Sequence, residues 1–392
     1  MTVRVNKSSF NIREKLSELG RKFGLKGSEL VAAETVQDAR NIISAGRKNL
    51  VINGDMRISQ RYGFNNPQTV TNQNDYYLDR FVLRENTSGA FQVRQSSPGY
   101  PLDNALQINV TTADTSISSS EYARIQYYVE GNDARAVDWG KSGSKDHLTL
   151  SFWVKTNAPG DYHVSIENSN NNYYPIMVKK YRIERSNEWQ KVVVTFPPTG
   201  EYNFHRGTGI GFRITWSLAI GSSYNTATEN SWFTSPYRMS TTAQRNFMDT
   251  VGNNFYLTGV QLEKGRNATE FEHRPYGEEL ALCQRYCETL ERNENETLIG
   301  IGFAYTTTRL LVAHTFKVAK RSSPSLTIIG NSNNVQMLQK GGGWTNSSNV
   351  IATTGRSMCR IDCTCGSAIY AAGDAGEIRI ESTTKLVFDC EL

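Results

Sequence analysis

The sequence predicts a mainly β protein of more than one module, and three observations support this prediction. Short runs of alternating apolar and polar residues, separated by turn-forming residues, fill most of the chain after residue 46. Helical spacing of apolar residues over a long stretch is confined to the residues before that point. The chain has 392 residues, more than one compact domain usually holds. We expect a short N-terminal α-helical arm (1–46), a central jelly-roll β-sandwich (47–275) and a C-terminal β-rich distal module (276–392).

The predicted arm contains two amphipathic helices. Ser9 or Asn11 caps the first helix and Ser28 caps the second. Isolated helices of this length are marginally stable in water, so their apolar stripes need a partner surface. The stripes either pack on the following domain or form an attachment and oligomerisation arm, and we favour the arm. The residues assigned to it are Leu16, Leu19, Phe23, Leu30 and Ile42.

The central module contains runs that are typical of β-strands. In the run 147–155 the apolar residues share one face, while Trp153 lies among polar residues on the other. Trp153 is therefore expected to be either covered by a loop or displayed in a groove. The predicted strands are 49–52, 81–83, 121–129, 147–155, 190–196, 211–218 and 255–262.

The distal module begins with an ambiguous segment. Leu280, Cys283, Cys287 and Leu290 fall at heptad spacing, which predicts a short helix with one apolar seam, with a strand as the alternative. Beyond this segment the pattern is again that of strands, at 310–318, 377–380 and 385–390.

Charge and hydropathy exclude several kinds of partner. The net charge of +5 comes from 43 basic and 38 acidic residues spread along the whole chain, which is too dilute for a nucleic-acid-binding surface. No segment approaches the roughly 18 consecutive apolar residues of a membrane span. The first ten residues lack the apolar stretch of a signal peptide. We expect a chain made in the cytoplasm, with no nucleic-acid partner and no membrane insertion.

The sequence offers one candidate binding surface. Proteins recognise sugars by placing an aromatic ring against the pyranose while amides, carboxylates or guanidinium groups bind the hydroxyls. On the predicted strand 121–129, Arg124, Gln126 and Tyr128 alternate with an apolar row, so we expect them to share a polar face with Trp153 on a neighbouring strand. The alternative is that these side chains pack under loops or at a subunit interface.

Catalytic and metal-binding patterns are not evident. The five histidines lie far apart, no nucleophile elbow accompanies them, and no pair of acids stands out. We therefore predict a non-enzymatic protein without a cofactor or a bound metal.

The six cysteines all follow Arg274 and are interpreted as reduced, buried thiols. The alternative is a zinc site that takes four ligands from Cys283, Cys287, Cys359, Cys363 and Cys365.

Several segments resemble, in order, the jelly-roll module of virion surface proteins of tailed bacteriophages, especially marine and cyanobacterial ones. They are 49–56 (NLVINGDM), 77–81 (YLDRF), 148–153 (LTLSFW), 259–265 (GVQLEKG) and, most specifically, 268–286 (ATEFEHRPYGEELALCQRY). The resemblance implies a tail fibre that is commonly trimeric, with a β-rich tip beyond the jelly roll.

The same module is similar to carbohydrate-binding jelly rolls, whose structural calcium is bound by acidic residues. Met56 and Arg57 replace the Phe and Glu of that pattern, and Thr258 and Gly259 replace an acidic pair. Because calcium needs oxygen ligands, we predict that this calcium site is lost.

Together, these features predict a virion structural protein, a homotrimeric tail fibre that attaches to other virion proteins through its N-terminal helices and engages a host surface glycan or protein. The alternatives are a head fibre or capsid decoration protein and, from another class, a polysaccharide depolymerase or a free carbohydrate-binding protein.

Overall fold

The structure is a computed structural model that describes residues 47–70, 75–139, 143–168, 175–199, 205–226, 228–234, 238–292, 298–339, 341–381 and 383–392. The predicted N-terminal arm, with Leu16, Leu19, Phe23, Leu30 and Ile42, lies outside these residues. The described chain is mainly β, as predicted, and its strands form four sheets. The division into ranges 1–46, 47–275 and 276–392 stays a prediction.

The first two sheets stack as a β-sandwich whose strand pairs are antiparallel. The chain crosses between the two layers several times, after one or two strands in each. In spatial order, sheet I contains β1 (Gln68–Thr69), β4 (Ala90–Ser96), β5 (Ala105–Thr112), β13 (Asn254–Lys264), β7 (Leu148–Thr156) and β10 (Gln190–Phe196). Sheet II contains β12 (Phe233–Thr234), β9 (Pro175–Ile183), β8 (Gly160–Asn168), β11 (Ile210–Ile220), β6 (Tyr122–Glu130), β3 (Phe81–Glu85) and β2 (Asp75–Leu78).

The inner faces of sheets I and II form one large core. Phe152 of sheet I packs edge-on against Trp216 of sheet II at a ring-centroid distance of 5.8 Å, and both side chains are fully buried. Leu148, Leu150 and Val154 are buried in the same row of β7, which confirms the predicted alternation of this strand.

The remaining two sheets surround a second core. In spatial order, sheet III contains β14 (Cys287–Glu291), β23 (Lys385–Asp389) and β17 (Ser325–Ile329). Sheet IV contains β19 (Trp344–Asn346), β18 (Val335–Leu338), β22 (Ala375–Ile380), β15 (Leu298–Thr306), β16 (Arg309–Thr315), β21 (Met358–Thr364) and β20 (Asn349–Thr354). Leu310, Val312, Ile361 and Phe388 are among the residues fully buried in this core.

Two α-helices occur in the described residues, α1 (Gly131–Ala134) and α2 (Tyr276–Gln284). Neither is long and apolar enough to cross a membrane. Short 3-10 helices occupy Ser222–Tyr224, Phe247–Asp249 and Ser332–Asn334.

Two segments differ from the sequence expectations. The heptad-spaced run after Leu280 is not one helix, because α2 ends at Gln284 and Cys287 begins β14. The run 49–52 is not a strand. Here the side chain of Asn49 forms hydrogen bonds to backbone groups of β13. Its Oδ1 accepts from Leu262 N at 3.0 Å, and its Nδ2 donates to Val260 O at 3.0 Å.

The C-terminal residues connect the second core to the sandwich. Glu391, whose side chain is 2% exposed, forms a salt bridge with the fully buried Arg80 of sheet II. The hydroxyl of Tyr76 donates to the backbone oxygen of Leu392 at 2.6 Å. Tyr286 stacks under the Arg80 guanidinium, with Cζ 3.5 Å from its ring centroid. The end of the chain therefore covers one part of the outer face of sheet II.

Candidate functional site

The structure places the four predicted binding residues on different layers of the sandwich. Trp153 lies on β7 of sheet I, whereas Arg124, Gln126 and Tyr128 lie on β6 of sheet II. The prediction that they share one polar face is therefore wrong. Alternation along a strand distinguishes inward from outward side chains, but it does not tell which of two sheets the strand joins.

Trp153 is half-buried on the outer face of sheet I. In the ladder it lies opposite Thr258 of β13 and Lys191 of β10. The ring of Tyr100, which is 61% exposed, meets the Trp153 ring edge-on at a centroid distance of 6.0 Å. Gly259 has a φ of 61°, and a Cβ at this position would lie 2.9 Å from Cδ1 of Trp153. The glycine therefore leaves the space in which the indole ring packs.

A second aromatic pair, Tyr256 and Trp189, lies beside Lys155, which is two residues along β7 from Trp153. The Nζ atom of Lys155 is 4.3 Å from the ring centroid of Tyr256 and 5.2 Å from that of Trp189. The two rings meet edge-on at 6.1 Å. Burial lowers the pKa of Lys155 and raises the pKa of Tyr256. Cation–π attraction holds the ammonium group between the two rings.

Polar side chains of β4 and β5 continue this face beyond Tyr256. Tyr256 lies opposite Gln107, whose Oε1 accepts a 2.9 Å hydrogen bond from Nε of Arg94. Nη1 of Arg94 also donates to Oδ1 of Asn65 at 2.9 Å. These side chains, with the exposed Phe64, line a pocket of about 320 Å³ to which Lys155 also contributes.

We call Trp153, Tyr100, Tyr256, Trp189 and Lys155, together with this pocket, the aromatic platform. Trp153, Lys155 and Tyr256 lie on strands of sheet I, and the pocket presents amide, hydroxyl, ammonium and guanidinium groups. No Asp or Glu is among the described residues that line the pocket. Such a surface suits a polyhydroxylated ligand, which needs an apolar wall and several hydrogen-bonding groups.

The predicted residues on sheet II are buried. Arg124 is 4% exposed, and Gln126 and Tyr128 are each 1% exposed. The Tyr128 hydroxyl accepts from Nη2 of Arg84 at 2.9 Å and donates to Oε1 of Gln126 at 3.1 Å. Nε2 of Gln126 in turn donates to the Thr215 hydroxyl at 2.9 Å. Tyr128 is thus part of a hydrogen-bonded layer and presents no open ring face to a sugar.

Of the residues of the aromatic platform, only Trp153 was predicted from the sequence as a binding residue. Tyr256 alternates with the core residues Phe255 and Leu257, a pattern that marks it as outward-facing. Its proximity to Lys155 and Gln107 depends on β13 pairing with both β7 and β5, a long-range contact that alternation does not reveal.

The cysteines lie in the two parts of the chain that flank residues 293–297. All six are free and buried, and burial raises the pKa of the Cys363 thiol to about 12. Within the ranges that the structure describes, no group of three or more His, Cys, Asp or Glu side chains is placed to bind a metal ion.

Arg57, predicted to prevent calcium binding, lies among carboxylates. Its Nε is 3.0 Å from Oδ2 of Asp55, and its Nη2 is 4.0 Å from Oε2 of Glu279. A guanidinium group in this position supplies positive charge near both carboxylates. The loss of the calcium site stays a prediction.

Comparison with known proteins gives weak similarities. No family model and no curated protein matches the chain. The enzymatically active domain of tailspike protein 4 from bacteriophage CBA120 is 12% identical with a TM-score of 0.29, over 55% of this chain and 21% of that chain. A structure described as a CBM4 is 12% identical with a TM-score of 0.29, over 54% of this chain and 98% of that chain. A proposed sugar-binding protein from Bacteroides thetaiotaomicron is 14% identical with a TM-score of 0.34, over 56% and 100%. Similarities at this level assign neither family nor function.

Proposed function

We propose that this chain is a non-enzymatic protein that binds glycans at the aromatic platform. The observation that carries the proposal is the pocket beside Tyr256, where a half-buried ring adjoins Lys155, Gln107 and Arg94 on one sheet face. The ring would contact the C–H face of a pyranose, while the amide and the cations would bind its hydroxyls. Because strands hold these groups, little ordering would be needed on binding.

Substitution of the platform aromatics tests this proposal. In Tyr256→Ala and Trp153→Ala we expect affinity for a neutral oligosaccharide, identified on a glycan array, to fall about tenfold or more through loss of stacking. Tyr276→Ala is the matched control, because Tyr276 is 58% exposed on α2, outside the platform. The proposal fails if no array glycan binds the parent chain, or if Tyr256→Ala binds as tightly as the parent.

The absence of catalysis is part of the proposal. Glycosidic cleavage normally uses a pair of carboxyl groups at a defined separation, and the described lining of the pocket contributes none. Incubation with capsular polysaccharide or lipopolysaccharide should release no reducing ends. Release that persists in the purified chain would favour the depolymerase alternative.

At the level of biology, we propose a virion surface protein, a tail fibre that attaches through its N-terminal arm and engages a glycan on the host surface. The segments that resemble phage virion proteins, 268–286 above all, support this role. Immunogold labelling of intact particles should place the chain on the tail. Labelling of the head would favour a head fibre or decoration protein, and its absence from particles would favour a free carbohydrate-binding protein.

We also propose that the chain is a homotrimer. The outer face of sheet IV exposes Ile301, Phe303 and Met358 to 64%, 53% and 54%. These side chains border a largely apolar groove of about 590 Å³. Contiguous exposed apolar surface commonly marks an interaction site, and identical copies of the chain would cover it in a trimer. Analytical ultracentrifugation of the full chain should give three times the monomer mass, and Phe303→Lys should shift the population toward monomer. A parent chain that stays monomeric at micromolar concentration contradicts the proposal.

A further inference from the structure

The outer face of sheet II carries three clustered arginines, Arg84, Arg124 and Arg213, and Glu167 neutralises this cluster only in part. Arg84 and Arg124 lie directly opposite each other on β3 and β6, and Arg213 lies opposite Tyr128 on β11. Arg213 pairs with Glu167 at 3.3 Å. In the part of the chain that the structure describes, neither Arg84 nor Arg124 forms an ion pair with a carboxylate.

Arg124 interacts electrostatically with Glu167, but in the described residues it forms no direct hydrogen bond to a carboxylate. Its Nη1 donates to the Sδ atom of Met239 at 2.9 Å, and its Cζ lies 4.1 Å from the ring centroid of Tyr122. Its Nε has no hydrogen-bond partner among the described residues. Burial, together with the positive charges of Arg84 and Arg213, lowers the pKa of Arg124 to about 10.

The surrounding side chains add further donors. The Ser165 hydroxyl is 1% exposed and has no partner in the described residues, and Nε of Arg84 is also without one. Ser165 and Gln126 both lie opposite Thr215 in the ladder, so they share the outer face with Arg124. A buried polar group without a partner is costly, and three clustered guanidinium groups repel one another. Such costs are typical of sites whose partner is a ligand.

Two of the three arginines of the cluster, Arg84 and Arg213, are partly exposed to solvent. Met239 covers Arg124 at one end of the cluster, and Leu392 covers Tyr76 at the other. Between these covers Arg84 is half-exposed, and the Arg213 side chain is 14% exposed. A small group could therefore contact Arg84 and Arg213 first and Arg124 beneath them.

We propose that Arg84, Arg124 and Arg213 form a second binding site, which takes an oxyanion: the carboxylate of an acidic sugar, or a sulfate or phosphate group. Guanidinium groups suit this chemistry because each presents paired N–H donors to two oxygens of an anion. The site lies on the layer opposite the aromatic platform and does not depend on it.

Thermal shift and calorimetry on the full chain test the site. Sodium sulfate, phosphate and glucuronate are added at constant ionic strength against sodium chloride, with glucose as the uncharged probe. We expect at least one anion to raise the melting temperature and glucose to have no effect. Binding of glucuronate would indicate an acidic sugar as the ligand, whereas binding of sulfate or phosphate alone would indicate a tetrahedral oxyanion.

Two variants make the test specific. Arg124→Met should weaken anion binding about tenfold or more, since a charge-assisted hydrogen bond is lost. The same variant should melt about 2 °C higher without anion, because buried like-charge repulsion is relieved. Arg84→Gln, at a half-exposed position, gives the binding test if Arg124→Met folds poorly. Arg185→Gln removes the same charge from a side chain that is 76% exposed and serves as the control.

The proposal is overturned if none of the anions stabilises the parent chain beyond chloride, or if Arg124→Met and Arg84→Gln respond as the parent does. Binding of a neutral glycan at the aromatic platform should be the same in all these variants. Failure of this site and failure of the platform are therefore distinguishable.

Discussion

The outer faces of sheets I and II derive from the same alternating pattern but have become different surfaces. On sheet I, Trp153 and Tyr256 remain half-buried, and they adjoin a pocket open to solvent. On sheet II, Tyr128 and Arg124 are almost wholly buried beneath loop and C-terminal residues. The difference shows that a polar row on a strand becomes a binding surface or an internal layer depending on what the rest of the chain places over it.

The sharpest test of this contrast is removal of the C-terminal contact that covers sheet II. Glu391→Ala leaves Arg80 buried without its carboxylate, which should cost about 3–5 kcal/mol in the free energy of unfolding. Chemical denaturation measures this loss. Glu188→Ala breaks a solvent-exposed pair with Arg185 and should cost less than about 1 kcal/mol.

Hydrogen exchange shows where Glu391→Ala acts. The amides of β6 in sheet II should exchange faster, whereas those of β7 in sheet I should keep their protection. Equal acceleration in both strands would mean that the C-terminal residues stabilise the whole sandwich rather than cover one face.

A smaller effect is expected at the glycine behind the platform. Gly259→Ala forces an L side chain into a left-handed conformation, at a cost of about 1–2 kcal/mol, and pushes against Cδ1 of Trp153. Gly252→Ala is the matched control, because Gly252 has a φ of 86° and no atom within 4 Å of the added Cβ. Both variants should lose stability through the backbone cost, Gly259→Ala more than Gly252→Ala because of the added contact, and only Gly259→Ala should change the tryptophan fluorescence and the affinity for glycan. Identical behaviour of the two variants would mean that the position of Trp153 does not depend on Gly259.

The sequence predicts the strands better than it predicts the site. The row Leu148, Leu150, Phe152 and Val154 is recognisable because burial of one strand face imposes a period of two. The same period marked Trp153 correctly as outward-facing, yet it could not show that β6 lies in the other sheet. Sheet membership depends on pairings between strands more than a hundred residues apart, such as Tyr256 with Lys155.

Burial of polar residues was equally hard to predict. Arg124 and Gln126 are polar residues of the kind that usually lies on an exposed strand face. Nothing in the sequence of β6 indicates that Met239 lies over Arg124. The prediction of one helix after Leu280 was wrong for another reason. The apolar spacing of this segment fits a helix, but its second half forms β14, which pairs with β23. Tertiary pairing outweighed local periodicity there.

The smallest expected effect concerns Glu130, which ends the row of β6 that contains Arg124. Burial alone would raise its pKa, but hydrogen bonds from Arg285, Tyr286 and Asn132 hold the pKa of Glu130 below its usual value of 4.5. The folded state therefore binds this proton less tightly than the unfolded state does. The resulting stabilisation is complete above about pH 4.5 and is lost as the pH falls through the folded-state pKa.

Glu130→Gln removes this contribution, so its unfolding free energy should fall less steeply than that of the parent as the pH is lowered below 4.5. Arg285→Gln should flatten the profile in the same way, and the double variant should add little, because both act on one contact of 2.6 Å. Glu391 and Asp79 oppose this trend, since burial raises their pKa values, and they are retained in every variant. The difference between profiles therefore isolates Glu130. If the Glu130→Gln and parent profiles are parallel below pH 4.5, the ion pair with Arg285 does not stabilise the charged form of Glu130. The proposed contrast on β6, between a paired Glu130 and an Arg124 that lacks an ion pair, would then be wrong.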